Sequence, residues 1–165
     1  MKSRVSVEIK VADEVWIAAA LLQREQPSRT DFKIEEIMGR VSRENISGRP
    51  RPGIYAHVVQ HCVANRTPNS GRYRMLLETG PGRRRLFRNG DAYDPAREGS
   101  KTNPAKEDIP AEYGFLLDWY RSWNAENVDA RIKSDPLLAL VGDGKDIWAD
   151  EHADEYVRHL REGWE

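Results

Sequence analysis

The sequence predicts an α+β fold: three helices, a β-hairpin and an added fourth helix, followed by an extended, partly helical C-terminal tail. Two patterns and one imbalance carry that reading. Apolar residues recur at helical spacing in three successive segments between residues 13 and 65. Two short β-prone runs then flank a Thr79-Gly80-Pro81-Gly82 turn. The imbalance is one of charge: residues 1–106 hold 20 Lys+Arg against 12 Asp+Glu, and residues 107–165 hold 6 against 15. A formal net charge of −1 therefore conceals a charge dipole.

Taken in order, Val5, Val7, Ile9 and Val11 alternate as in a strand. Asp13 stands where an N-cap is expected, and Trp16, Ile17, Ala20 and Leu21 give a first helix from Asp13 to about Gln26, stopped by Pro27. Thr30 or Asp31 can cap a second helix whose apolar side is Phe32, Ile34, Ile37, Met38 and Val41. Pro52 suits the first turn of a third helix, with Ile54, Val58 and Cys62 at i, i+4, i+8, running to about Asn65. The hairpin strands are Tyr73–Glu78 and Arg83–Phe87, and a Pro-, Gly- and Ser-rich surface loop spans 91–108. A fourth helix is expected from Ala111 to about Trp123. Three helices followed by a hairpin is the order of a small winged helix, so the chain divides into a domain at 1–123 and a tail at 124–165.

Composition excludes several classes. A chain of 165 residues buries one modest core rather than two. No apolar run approaches the roughly 20 residues of a membrane helix, and the N-terminus has no secretory pattern, so a cytoplasmic location and no membrane contact are expected. A single cysteine, Cys62, forms no internal disulfide and no Cys-rich zinc site. His57 and His61 are four apart but lack the His-Glu-x-x-His context, and no nucleotide loop or nucleophile elbow is present. The expectation is a protein that is not an enzyme, with no cofactor and no metal.

The basic half reads as a nucleic-acid surface. In a winged helix the third helix enters the major groove and the hairpin meets phosphate or the adjacent minor groove. With Ile54, Val58 and Cys62 turned inward, the outer face offers His57, Gln60 and Ala64, edged by Tyr55, His61 and Arg66. Arg49 and Arg51 precede that helix, and Arg72, Arg74, Arg83, Arg84, Arg85 and Arg88 decorate the hairpin. A strand followed by two helices is also the order of a ribbon-helix-helix repressor, which is complete in far fewer residues. Residues 8–90 broadly resemble small winged-helix domains of bacteria, with a Trp in the first helix and a basic hairpin.

The acidic half reads as a peptide ligand. Asp150 to Glu155 load negative charge on the start of a short helix, and Val157, Leu160 and Trp164 form a narrow apolar stripe beside Tyr156 and Arg161. A helix that short is marginal alone and is expected to fold in a partner's groove. The run from Ser134 through Asp135-Pro136-Leu137-Leu138-Ala139-Leu140, Gly144-Lys145-Asp146-Ile147-Trp148 and Asp154-Glu155-Tyr156-Val157-Arg158 to Leu160-Arg161-Glu162-Gly163-Trp164 resembles the tail of VapB-type antitoxins. These are the partners of PIN-domain ribonuclease toxins.

That resemblance implies toxin contact through Leu137, Leu138, Leu140, Ile147, Trp148, Tyr156, Val157, Arg158, Leu160, Arg161 and Trp164. It also implies that an arginine, Arg161 first and Arg158 second, approaches the toxin's metal-binding carboxylates. The family's DNA-binding module is usually much smaller than residues 1–123. The expected function is thus an antitoxin that neutralises a PIN-domain ribonuclease and represses its own operon on operator DNA, with a homo-oligomer left open. The alternatives are a stand-alone DNA-binding regulator with an autoinhibitory tail, and a protein-binding adaptor.

Overall fold

The computed structural model describes residues 8–139, with side chains described as far as Leu137. The chain divides into two units, Met1–Asn124 and Ala125–Glu165.

The first unit is built around helix α1, Val11–Glu25, in which every residue from Ala12 to Gln23 is buried. Ala18, Ala19 and Ala20 keep its middle thin, so helix α2, Ile34–Glu44, lies against it. Trp16 is fully buried and meets Tyr120 edge-to-face at 5.4 Å, an arrangement its ring quadrupole favours. Between the two helices Phe32–Lys33 forms a short strand, β1. The backbone N–H of Lys33, the residue before α2, donates to the Glu36 carboxylate at 2.8 Å, which satisfies one otherwise orphaned donor at the helix start. Asn45 ends α2 in the left-handed conformation (φ 46°).

Helix α3 is a single α-helical turn, Gly53–Ala56, that continues as a π-turn over His57–His61. There Cys62 N–H bonds to His57 carbonyl, five residues back. Strands β2, Leu76–Gly80, and β3, Arg83–Leu86, make an antiparallel hairpin with a register irregularity between Glu78 and Gly80. The order across the sheet is β1-β3-β2, with Phe32 opposite Arg84. Gly82 holds the tight turn at φ +68°, a conformation costly for any residue with a Cβ. Residues 91–108 carry two short 3-10 turns, Pro95–Arg97 and Lys106–Asp108. Helix α4, Phe115–Ser134, contributes Leu116, Tyr120 and Asn124 to the buried interior of this unit.

In the second unit the described part of α4 leaves Ala125 to Ser134 exposed apart from half-buried Asn127. A one-turn helix, α5, follows at Pro136–Ala139, where Leu137 is 77% exposed. No helix among the described residues is long and apolar enough to cross a membrane.

The described residues form a mixed α+β arrangement with one small antiparallel sheet, and several elements differ from those expected. Val11 belongs to α1 and Ile9 is buried just before it, while residues 1–7 lie outside the described residues. Asp13 is the third residue of α1 and is 1% exposed; Lys10 holds the cap position. Thr30 and Asp31 do not cap α2, because Phe32 and Lys33 first pair with β3. The third helix is shorter than expected, and its π-turn rotates the following residues, so Ala64, expected outside, is fully buried. The fourth helix starts after a 3-10 turn at Ala111–Tyr113 and runs on to Ser134.

Candidate nucleic-acid interface

The carbonyl end of a helix carries partial negative charge and unpaired acceptors. After the π-turn these acceptors are met by two buried guanidinium groups. Arg84, 1% exposed, donates from Nε to Val58 carbonyl at 3.1 Å and from Nη2 to Val59 carbonyl at 3.3 Å. Its Nη1 donates to Arg83 carbonyl at 2.8 Å. Arg97, fully buried, donates to the carbonyls of Gln60 at 2.9 Å, His61 at 2.9 Å, Tyr73 at 2.7 Å and Arg66 at 2.7 Å. Burial pushes the pKa of both groups down, yet a guanidinium keeps its proton and its five donors. Ringed by carbonyl dipoles, each is a structural rivet rather than a ligand for phosphate.

Four more of the expected DNA contacts hold carboxylates. Arg66 forks onto Glu78 at 2.6 and 3.0 Å, which pulls the Glu78 carboxyl pKa down. Arg85 forks onto buried Asp91 at 2.7 and 2.8 Å. Arg83 bonds Asp31 at 2.6 Å. Arg51 bonds Ile9 carbonyl at 2.6 Å and Glu14 at 3.2 Å, and Glu14 also accepts from Ser47 N–H. Arg74 lies over the Tyr93 ring at 4.3 Å and Arg88 over Trp123 at 4.6 Å, cation–π contacts that hold the hairpin's flanks. The hairpin's positive charge is largely internal wiring.

The expected recognition face is similarly committed. His57 Nδ1 lies 2.8 Å from Gly53 carbonyl, so that nitrogen carries the ring proton, and burial lowers the pKa of the ring. His61 packs edge-on against His57 at 4.9 Å and is hemmed in by Gly71, whose missing side chain makes the approach possible. Gln60 donates its amide to Thr67 carbonyl. Cys62 is fully buried with its thiol pKa pushed up, a core residue.

What stays outward is a smaller set: Tyr55, 58% exposed, and the exposed Arg49 and Arg72. Arg49, Arg51 and Tyr55 line one groove of about 290 Å³ between α2 and α3, floored by Met38, Val41 and Ile54. Sequence reasoning missed the groove's Asn45 and missed Arg97 altogether. The readable signal for Arg97 was Asp94-Pro95, a 3-10 start in which Asp94 accepts from Ala96 N–H at 2.9 Å. Of the expected toxin contacts, Leu137 is exposed and Leu138 lies in α5. Leu140, Ile147, Trp148, Tyr156, Val157, Arg158, Leu160, Arg161 and Trp164 lie outside the described residues. Against protein-family models, curated proteins and solved structures, the chain finds no match.

Proposed function

We propose that this chain is an antitoxin of a type II toxin–antitoxin pair. Its tail from Ser134 onward captures a PIN-domain ribonuclease, and its first unit is a winged helix that contacts operator DNA. The observation that carries the reading is the contrast on either side of Asn124. Upstream, a core is closed and most arginines are paired, with Tyr55 and Phe115 the exposed large hydrophobics; downstream, Val128, Ile132 and Leu137 stand exposed with no buried residue among the described ones. A segment of that kind gains its stability from a partner. The acid-flanked Trp148 and the stripe of Val157, Leu160 and Trp164 supply the aromatic and aliphatic anchors that dominate binding hot spots. Arg161, with Arg158 behind it, sets a cation among the ribonuclease's carboxylates, pairing the charges that would otherwise hold Mg²⁺.

The winged-helix reading draws support from β1. A strand between the first two helices, paired with the hairpin's second strand, ties that hairpin to the helices as a wing. Operator contact falls to the outward cations Arg49 and Arg72 together with Tyr55 rather than to the whole hairpin. The test is co-expression of the full chain, and of a form ending at residue 133, with the adjacent reading frame. Capture and growth rescue by the full chain alone is the expected result. A harmless neighbour that is not captured would return the chain to the class of stand-alone regulators.

A further inference from the structure

We propose that the groove between α2 and α3 binds an unpaired nucleotide of a single-stranded nucleic acid. The inference rests on reading Met1–Asn124 as a nucleic-acid-binding unit and is independent of toxin capture. The groove is open, holds about 290 Å³ and has a floor of Met38, Val41 and Ile54. That is near the lower end of small-ligand pockets and suits one base with its sugar.

Three groups at its mouth match three parts of a nucleotide. Tyr55 presents a ring that is 58% exposed and free to stack on a base, and stacking accepts any base because every base has a π-face. Asn45, fixed in the left-handed conformation at the end of α2, carries an exposed amide with no hydrogen-bond partner among the described residues. An amide offers donors and an acceptor to a base edge. Arg49 is exposed and has no carboxylate partner among the described residues, so its guanidinium is available for a phosphate.

The charge inside the groove argues the same way. Its other two charged residues, Arg51 and Glu14, neutralise each other at 3.2 Å, leaving Arg49 as the net charge. A purely apolar side-chain anchor would leave both the guanidinium and the Asn45 amide unused. A base within a duplex is stacked on both faces and cannot enter, whereas one in a single strand or loop can.

The experiment uses the full-length protein and fluorescence anisotropy with labelled short single-stranded DNA, single-stranded RNA and a duplex of the same sequence. Saturable single-strand binding is expected, and the DNA and RNA arms tell which sugar the groove prefers. Tyr55→Ala should weaken it about fivefold or more, Tyr55→Trp should retain it, and Arg49→Ala should weaken it and flatten its salt dependence. Both positions are exposed, and circular dichroism of each variant is the check that it is folded. Absence of single-strand binding, or equal binding by Tyr55→Ala, overturns the proposal. So does binding of a synthetic acidic, tryptophan-containing peptide in place of any oligonucleotide. Duplex binding without single-strand binding leaves the operator reading standing and removes this one. Single-strand binding that depends on Tyr55, without duplex binding, does the reverse.

Discussion

The hairpin with its following loop and the segment between α2 and α3 are both arginine-bearing, and the structure commits the two to different degrees. On the first side Arg84 and Arg97 are buried to 1% and 0% exposure and donate to backbone carbonyls. On the second side only Arg51 is drawn inward, onto Ile9 carbonyl and Glu14, while Arg49 stands exposed beside an open groove. The difference follows from geometry: a broken helix end generates carbonyls with nowhere to point, and arginine is the side chain with enough donors to serve several at once. Density of positive charge along the chain therefore measures nothing about ligand binding until each guanidinium's acceptors are known.

The strongest way to break this comparison is Arg97→Met. It strips donors from the carbonyls of Gln60, His61, Arg66 and Tyr73 together, so a loss of about 3–5 kcal/mol in unfolding free energy is expected from denaturant titration. An unchanged midpoint would mean that those carbonyls are served by water and that the burial is incidental.

Asp13 tests the opposite defect, a buried charge that no arginine reached. Both its carboxylate oxygens are buried without a hydrogen-bond partner, and burial, aided by Asp108, pushes its carboxyl up to about 6 against the opposing pull of Lys101 and Lys10. A carboxyl whose folded-state pKa is raised adds stability that is full below about 4 and is lost as pH rises through about 6. Asp13→Asn should match the parent near pH 4 and exceed it at neutral pH by about 2–3 kcal/mol. Parallel stability–pH curves for the two proteins would refute this.

Glu36 shows the inverse sign. The forked bond from Arg29, at 2.6 and 2.8 Å, and the backbone N–H of Lys33 hold its carboxyl down at about 2. Its stabilisation is present above about 4.5 and fades as pH falls toward 2. The side chains are about one-third exposed, so solvent screens the pair, and Glu36→Gln should cost only about 1 kcal/mol at neutral pH by thermal melting. The smallest stability effect belongs to the outward cations. Arg49→Ala and Arg72→Ala should each stay within about 0.5 kcal/mol of the parent while lowering the salt slope of duplex binding by about one. A larger stability loss at either would place that guanidinium with the internal set.

Legibility in the sequence followed the same divide. The apolar faces of α1 and α2, the turn at Gly82 and the burial of Val58 and Cys62 were readable because periodic burial leaves a periodic trace. β1 was not: two residues carry no period, and Phe32 fits a helical face as well as a strand until β3 is known to lie beside it. Asp13 imitated a cap because aspartate is a common cap residue, but it is the third residue of α1, with Lys10 at the cap, and is 1% exposed. Asp94-Pro95 marks the start of the 3-10 turn that ends at Arg97, but nothing along the chain says which acceptors a turned-in arginine will meet. Arg97 in its loop and Arg72 before the hairpin look alike as letters, and their fates depend on carbonyls supplied by residues far away in sequence.

The long reach of Arg97 also sets a clock on how the molecule is made. The Gln60 and His61 carbonyls accept backbone N–H bonds from Val63 and Tyr73, but their side-chain donor, Arg97, lies 37 and 36 residues downstream. On a translating ribosome, adding residues at about 5–20 per second, the third helix waits roughly two to seven seconds for the side chain that closes its end. During that interval those carbonyls have at most their backbone partners, Val63 and Tyr73 N–H, and lack the guanidinium. Any shortened version of the first unit must therefore extend past Arg97, because a fragment that stops at the hairpin contains the helix but not its lock.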